Sequence, residues 1–488
     1  MNRRAFFERI VRGGTPAPLQ ITAGLEPYKP NENLSAADAM HLLRRATFGY
    51  TMADITKAKS MTTSAAVEAL FSGEQSPTPP AWVNLDPLKE DFSDPNARQA
   101  AYYQRYYEMQ RWWFSLMKNG SFSILEKLTF FWHNHFCSDY LKVYYPQYLF
   151  AQNDAFRKNA WGDIKQLTSK MVNDNAMLIY LDLNASIKGN PNENFARELL
   201  ELFTLGVNHY TEKDIVEAAK ALTGWRVAWP TGTFNAQTWD PNDKTFMGQT
   251  GKWNATDVIR IIFEQDACAR YFATKFYKYF VYDVPDETIV TELAGILKQN
   301  NFQLKPMLKA LLGSAHFFDM NVRGAQVKSP LEFIAGFERN LNYLTIPDDY
   351  AIERSTRLTL EPLNPPSVEG WKGHHLWINT NSYPIRERTA EAALEGRRLD
   401  NNTAMTTKPD VITWAKQFAN VNDAHMFVND AANFLLPIPP GAKTQQLLLE
   451  ELLQGAQDYE WKIDMANVEF RLKAFLAAVT TLPEYQLN

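Results

Sequence analysis

Apolar residues recur every three to four positions along most of this chain, which is the spacing of an amphipathic helix. Residues 35–38 carry an N-cap signal, and the apolar stripe that follows ends at Gly49. A turn signal opens a second stripe at residues 193–205, and a capping box at Thr211 opens a third, over 211–224. The last two stripes predict a helical hairpin.

The helical period is lost in two places. Residues 227–253 contain several Gly, Thr and Asn, which predicts a small β-hairpin or a long-loop insertion, and the Pro and Gly residues of 364–375 predict a loop. The pattern therefore predicts a mainly all-α, compact multi-helix domain. We expect an N-terminal tail (1–33), a helical core (34–395) and a C-terminal helical segment (396–488) packed on the core.

Composition narrows the classes of partner. The chain has 488 residues, 45% of them hydrophobic, which is enough to bury a large core. A formal net charge of -5 provides no global basic field, so nucleic acid is not a predicted partner. No window approaches the about 18 consecutive apolar residues of a membrane span, so we expect a soluble protein body. Neither Cys137 nor Cys268 lies in a metal-binding spacing.

The first residues do not determine the cellular compartment of the protein. Arg3 and Arg4, followed by Phe6, resemble the start of a twin-arginine export signal, but the apolar stretch that such a signal needs does not follow. A cytoplasmic location is therefore favoured, with export through the twin-arginine start as the alternative.

The tripeptide His133-Asn134-His135 is the first candidate site. Two histidines two residues apart on a helix point about 200° apart, so they do not share one metal ion there. His135 continues the apolar stripe of Leu128 and is expected to be a hydrogen-bonded core residue, whereas His133 is expected on the polar side. The sequence thus makes His133 the candidate acid or base near neutral pH.

The polar stripe of the 193–205 helix is the second candidate. Asn194, Glu198 and Glu201 share one face, with Arg197 beside them. One interpretation is a surface pair between Arg197 and Glu201 with a solvated Glu198. The other is an interior network in which Arg197 keeps Glu198 ionised.

The loop after residue 364 is the third candidate. Glu369, Trp371 and Asn379 lie there, and tryptophan faces and amide groups suit the rings and hydroxyl groups of sugars. The alternative is that its aromatic residues only anchor the loop in a core that is rich in aromatics.

Taken in order, several segments resemble one bacterial family, the domain of unknown function 1800. They are residues 41–49 (HLLRRATFG), 131–136 (FWHNHF), 192–199 (NENFAREL), 222–225 (LTGW), 369–371 (EGW) and 377–379 (WIN). The resemblance covers roughly residues 35 to 390. That family is defined by sequence, so the resemblance implies a fold and landmarks rather than a reaction.

Two positions depart from the family pattern. Phe203 stands where members often have a histidine, and Trp239 stands before Asp240 where members often have His-Asp. If those histidines bind a metal in relatives, this chain lacks them. Metal and cofactor requirements stay undetermined from the sequence.

Two hypotheses follow. The first is an enzyme acting on a polar polymer or glycan, with His133 and Glu198 as the catalytic acid-base pair. Its predicted substrate-binding residues are Asn134, Arg197, Asn194, Trp225, Glu369, Trp371 and Asn379. The second is a non-enzymatic binding or scaffold protein of the cell envelope, in which these residues form a buried polar network. The first requires the segments around His133, Glu198 and Glu369 to meet at one open cleft.

Overall fold

The computed structural model describes residues 18–488 except residues 31, 93, 121, 344, 402 and 406. The Arg3-Arg4 segment lies outside the described residues. None of the helices in the described part is both long enough and apolar enough to cross a membrane.

The described chain is mainly α-helical, as the hydrophobic pattern predicts. Its first twelve α-helices are α1 (Ala36–Ala46), α2 (Met52–Lys59), α3 (Thr63–Leu70), α4 (Pro95–Asn119), α5 (Leu125–His135), α6 (Tyr140–Val143), α7 (Pro146–Lys158), α8 (Ile164–Met171), α9 (Asn175–Tyr180), α10 (Asn194–Glu198), α11 (Glu212–Ala221) and α12 (Ala255–Phe263). The remaining ones are α13 (Asp266–Phe280), α14 (Glu287–Gln299), α15 (Leu304–Leu312), α16 (Ala315–Phe318), α17 (Pro330–Leu341), α18 (Asp348–Arg357), α19 (Ser382–Glu395), α20 (Val411–Ala415), α21 (Ala424–Leu435), α22 (Ala442–Leu453) and α23 (Val468–Thr480).

Capping side chains set the helix starts that the sequence signals. The Ser35 side chain accepts a hydrogen bond from the Asp38 N–H at the start of α1. Thr51 and Thr211 each form a complete capping box with the aspartate three residues later, at the starts of α2 and α11. These short side chains satisfy N–H groups that lack partners within the helix, so local sequence determines these boundaries.

The insertion after α11 consists of two small antiparallel hairpins. Strands β1 (Trp225–Arg226) and β2 (Thr233–Phe234) pair, as do β3 (Lys244–Phe246) and β4 (Gln249–Gly251). Met247 and Gly248 between β3 and β4 both have positive φ, as a two-residue hairpin turn with the twist of the strands requires. The predicted β insertion near 227–253 is confirmed.

Residues 100–140 form two helices rather than one. Residues 100–140 are helical in pattern, but the chain breaks after Asn119, and α5 begins only at Leu125. The break turns the chain so that α4 and α5 pack side by side, and α5 also packs against α7.

The 193–205 helix is also less regular than its apolar stripe indicates. It is α-helical only to Glu198 and continues as a π-helix from Leu199 to Thr204. The Leu205 N–H donates to the Leu200 carbonyl at 2.9 Å, five residues back, so this turn is wider than an α-helical one.

The C-terminal helices pack against the preceding ones. Helix α19 contacts α23, and α22 packs between α21 and α23. At the end of the chain, Leu487 forms a β-bridge with Val327, and Asn488 N–H donates to the Gln326 carbonyl. The division into a tail, a core to residue 395 and a C-terminal segment stays a prediction.

Candidate functional site

An open cleft of about 440 Å³ lies where α5 ends, beside the π-helix, α13 and the loop at residues 368–374. We call it the lysine cleft. It is lined by Phe131, Asn134, His135, Leu202, Tyr271, Thr274, Lys275, Lys278, Tyr279, Asp283, Val368, Glu369, Trp371, Lys372 and His374. The segments that carry His133, Glu198 and Glu369 therefore do meet at one open cleft, although His133 and Glu198 are not among the lining residues.

His133 lies in the interior. Only 1% of its surface is exposed, and its ring packs edge-on against Trp113 at 5.2 Å between centroids. Its Nε2 atom is buried without a hydrogen-bond partner among the described residues, and burial lowers its pKa to about 3. The prediction that His133 occupies the polar side of α5 is wrong, because the helix is surrounded on that side by α4. The catalytic role of His133 stays a prediction, and the side chain is not exposed to solvent.

Asn134 binds the loop of the third candidate motif. Its Oδ1 accepts a hydrogen bond from the Trp371 N–H at 2.7 Å, and its Nδ2 donates to the Trp371 carbonyl at 3.1 Å. Gly370 has φ of +74°, and a Cβ there would lie 2.5 Å from the Asn134 carbonyl oxygen. The close approach of α5 to the loop therefore requires glycine. The Trp371 ring stacks on Phe130 and is 6% exposed.

His135 binds the π-helix. Its Nε2 is 3.0 Å from the Phe203 carbonyl oxygen, and the Tyr271 hydroxyl donates to the neighbouring Leu202 carbonyl. Both carbonyls belong to the π-helical turn, whose altered hydrogen-bonding leaves them for side chains. Burial lowers the pKa of His135 well below its ordinary value. The predicted role of His135 as a hydrogen-bonded core residue is confirmed.

The opposite wall of the cleft is one face of α13. Tyr271, Thr274, Lys275, Lys278 and Tyr279 line it, at the spacing of neighbouring turns. The other face of α13 is fully buried. Sequence reasoning missed this wall. The available signal was a polar stripe on a helix whose remaining positions are apolar.

Lys275 and Lys278 carry the positive charge of this wall. Both are half-buried, and among the described residues neither has a carboxylate within 4.0 Å. Burial lowers the pKa of Lys275, and the charge of Lys278 lowers it further. The third lysine, Lys372, differs because its amino group is 3.0 Å from the Glu369 carboxylate.

Asp283 joins two histidines at one end of the cleft. Its carboxylate lies 3.0 Å from His375 Nδ1 and 3.8 Å from His374 Nε2. Burial lowers the pKa of His374 to about 4, although Asp283 opposes that change. His374 is therefore neutral near pH 7, and the charged groups that line the cleft are three lysines and the carboxylates of Asp283 and Glu369.

Glu198 is half-buried one turn before Leu202. Burial raises its pKa, and the nearby carboxylates of Glu201 and Glu369 raise it further, whereas Arg197 lowers it. The predicted network in which Arg197 keeps Glu198 ionised is not formed, because desolvation and like charge outweigh the guanidinium.

Arg197 instead pairs at the surface. Its guanidinium donates to both carboxylate oxygens of Glu212 at 2.9 and 2.8 Å, and Glu193 lies 3.7 Å away. The alternative prediction, a pair with Glu201, is also wrong, since the Tyr210 hydroxyl donates to that carboxylate. The loop before α11 folds back and brings Glu212 within reach.

The other predicted binding residues are spread around the cleft or lie away from it. Glu369 and Trp371 line it. The Asn194 N–H donates to Asn192 Oδ1, and Asn379 Oδ1 accepts from the N–H groups of residues 381 and 382, which is a capping role. Trp225 lies in β1, where its ring packs against Phe234. None of these last three residues lines the cleft.

The two side chains that depart from the family pattern, Phe203 and Trp239, make packing contacts. The Phe203 ring is fully buried against Phe136, at 5.3 Å between centroids. Trp239 lies under the Lys244 ammonium. In the described residues no group of three or more His, Cys, Asp or Glu side chains is arranged to hold a metal ion.

Comparison with known proteins gives one result. No curated protein and no solved structure matches the chain. The model of one sequence family, described as a protein of unknown function (DUF1800), matches residues 41–487. That match includes every segment of the lysine cleft, and the chain belongs to the DUF1800 family.

Proposed function

We propose that this protein binds an anionic, hydroxyl-bearing polymer, such as a carboxylated, phosphorylated or sulfated glycan, in the lysine cleft. The observation that carries the proposal is the pair Lys275 and Lys278, which face an open cleft without a carboxylate partner in the described part of the chain. The two ammonium groups lie on adjacent turns and repel each other, and the Glu369 carboxylate offsets this only from beyond ion-pair distance. A bound anion would offset this repulsion directly.

Partial burial strengthens this argument. The ammonium of Lys275 has lost water, which is why its pKa is lowered. A charge in such a place interacts with an anion more strongly than a fully solvated lysine does, because the effective dielectric is lower. A bound anion would also raise the pKa of Lys275. At a pH close to that pKa, anion binding is therefore expected to be accompanied by proton uptake at Lys275.

The remaining lining fits a hydroxyl-bearing chain. Tyr271, Tyr279 and Trp371 present ring surface, and Thr274 adds a hydroxyl group. Aromatic rings with a few placed polar groups are typical of pockets for polar organic ligands. Binding by this lining therefore requires no chemical reaction at the buried residues of the family motifs.

A second candidate function, hydrolysis of the same polymer, is favoured by Glu198 alone. Its raised pKa suits a general acid, and the Glu369 carboxylate is close enough to contribute to that shift. If it is correct, wild-type protein will shorten the polymer during incubation, as seen in size-exclusion profiles and new reducing ends. Glu198→Gln will abolish that change. Intact polymer after long incubation with wild type would leave binding as the function.

The binding proposal is tested with polygalacturonate, heparin and polyphosphate as anionic probes and dextran as the neutral one, by isothermal titration calorimetry. We expect wild type to bind at least one anionic probe, with an affinity that falls as salt is added. The double variant Lys275→Gln/Lys278→Gln should bind that probe at least tenfold more weakly.

The matched control is Lys443→Gln, because Lys443 is an exposed lysine on α22, away from the cleft. It should bind like wild type. Failure of wild type to bind any anionic probe, or an equal loss in the control, contradicts the proposal. Circular dichroism at the assay temperature identifies a loss that comes from unfolding.

A further inference from the structure

A second cleft lies between α4 and α18, with a volume of about 470 Å³. Tyr107 and Arg111 line it from α4, and Glu361, Arg398 and Asp400 line it from later segments. We call it the arginine cleft. None of its lining residues lines the lysine cleft or belongs to the predicted site.

Most of its charged side chains form ion pairs, unlike Lys275 and Lys278 of the lysine cleft. Three arginines and four carboxylates line it, and most are already paired. Arg398 bridges Asp400 at 2.6 Å and Asp349 at 2.8 Å. Paired groups keep spare donors and acceptors but produce little net field, so the lining suits a neutral ligand with many hydroxyl groups.

Two groups at the opening lack an opposite charge within the described residues. Arg111 is exposed, and no carboxylate in that part of the chain is within 4.0 Å of it. Glu361 has no cationic partner there either, and accepts hydrogen bonds from the Tyr106 hydroxyl and Asn364 Nδ2, both at 2.9 Å. The cleft therefore offers donors at Arg111 and acceptors at Glu361 that no ion pair occupies.

An exposed aromatic surface continues from this opening. Tyr103 is 48% exposed and Tyr107 is 37% exposed, and their rings meet edge to face with centroids 4.6 Å apart. The Tyr107 hydroxyl donates to the Tyr103 oxygen, which leaves the Tyr103 hydroxyl hydrogen available to a ligand. With Arg111, these residues form a stripe about 12 Å long on α4, given a rise of about 1.5 Å per residue. That length exceeds a single sugar ring.

We infer that the arginine cleft, together with Tyr103 and Tyr107, is a second ligand site that binds a neutral oligosaccharide. The apolar faces of sugar rings stack on exposed tyrosine, while hydroxyl groups donate to Glu361 and accept from Arg111. This inference goes beyond the proposed function and does not depend on it, because the two clefts share no lining residue. If both are correct, the segment at residues 361–369 connects a site for an anionic polymer with a site for a neutral oligosaccharide.

The experiment uses full-length protein with neutral hexasaccharides of glucose, mannose, xylose and N-acetylglucosamine as probes. Saturation-transfer NMR detects binding, and a titration gives the affinity. We expect wild type to bind at least one hexasaccharide, Tyr107→Ala to bind it about tenfold more weakly, and Tyr107→Phe to keep most of the affinity because the ring remains.

Two control variants test whether binding is specific to the arginine cleft. Tyr459→Ala removes a tyrosine that is 76% exposed outside both clefts, and it should bind like wild type. Lys275→Gln/Lys278→Gln should also bind the hexasaccharide like wild type. If this variant loses binding of the anionic probe but keeps binding of the hexasaccharide, the two sites are separate and this inference is supported.

The inference is overturned if wild type binds none of the four hexasaccharides, or if Tyr107→Ala binds as tightly as wild type. It is also overturned if poly-glutamate binds in an Arg111-dependent manner and no saccharide does, because the cleft would then be a site for an acidic peptide.

Discussion

The two walls of the lysine cleft are built from different kinds of sequence. One wall comes from the family motifs: the end of α5, the π-helix and the loop at residues 368–374. We call it the motif wall. The other wall is the exposed face of α13, which belongs to none of the family motifs. The motif wall holds most of its polar groups in internal contacts, whereas the α13 wall leaves Lys275 and Lys278 unpaired among the described residues.

This difference separates residues that build the site from residues available to a ligand. Asn134 uses its amide on the Trp371 backbone, and His135 uses its imidazole on the Phe203 carbonyl. Both groups would have to leave these partners to act on a ligand, which leaves a buried polar group unsatisfied. Substitutions in the motif wall should therefore reduce stability, and those in the α13 wall should reduce binding.

The largest effect is expected for Gly370→Ala in the motif wall. The added Cβ clashes with the Asn134 carbonyl, and φ of +74° is strained for alanine, so we expect a loss of about 3 kcal/mol in the free energy of unfolding. Urea unfolding measures it. The variant should also lose anionic polymer binding and keep hexasaccharide binding at the arginine cleft.

The control for Gly370→Ala is Gly295→Ala in α14, where a Cβ meets nothing within 4 Å. That variant should be as stable as wild type or slightly more stable, because alanine favours the helix. A Gly370→Ala protein with unchanged stability would show that α5 and the loop are not tightly joined.

A slightly smaller effect is expected for His133→Phe, and only in acid. The pKa of His133 is about 3 in the folded protein, against about 6.5 when unfolded, so the unfolded state takes up the proton first as the pH falls. The stability contributed by neutral His133 is complete above pH 6.5 and decreases toward pH 3. Between pH 7.5 and 4.5 this loss amounts to about 2 to 3 kcal/mol.

His133→Phe should remove that part of the acid sensitivity, as measured by urea unfolding at the two pH values. Other buried histidines, such as His41 and His135, keep the remaining dependence. His425→Gln is the control, because His425 is 63% exposed. If His133→Phe and wild type lose equal stability in acid, then His133 is accessible, and its predicted catalytic role regains support.

The smallest change in stability is expected for the α13 wall. The same Lys275→Gln/Lys278→Gln variant that weakens anion binding should unfold within about 0.5 kcal/mol of wild type, because no ion pair among the described residues is lost. If this variant is strongly destabilised, the α13 wall also maintains the stability of the fold, and the two walls do not differ in this respect.

Much of the fold follows from local patterns. The starts of α1, α2 and α11 were predictable because a Ser or Thr side chain caps the N–H groups of the same short segment. The β insertion was predictable because its residues lack helical periodicity. The π-helical turn was not, since Leu199 to Thr204 has an ordinary apolar stripe and its hydrogen bonds involve His135 and Tyr271 from distant segments.

The candidate site was predictable only at the level of segments. The sequence by itself determined the helical class, the caps, the insertion and the family, because each depends on neighbouring residues or on matched motifs. Tertiary structure decided that His133 is buried behind α4, that Arg197 pairs with Glu212, and that Lys275 faces the cleft. The physical reason is that burial and pairing depend on which distant elements cover a helix face, and periodicity identifies the face without identifying what packs against it.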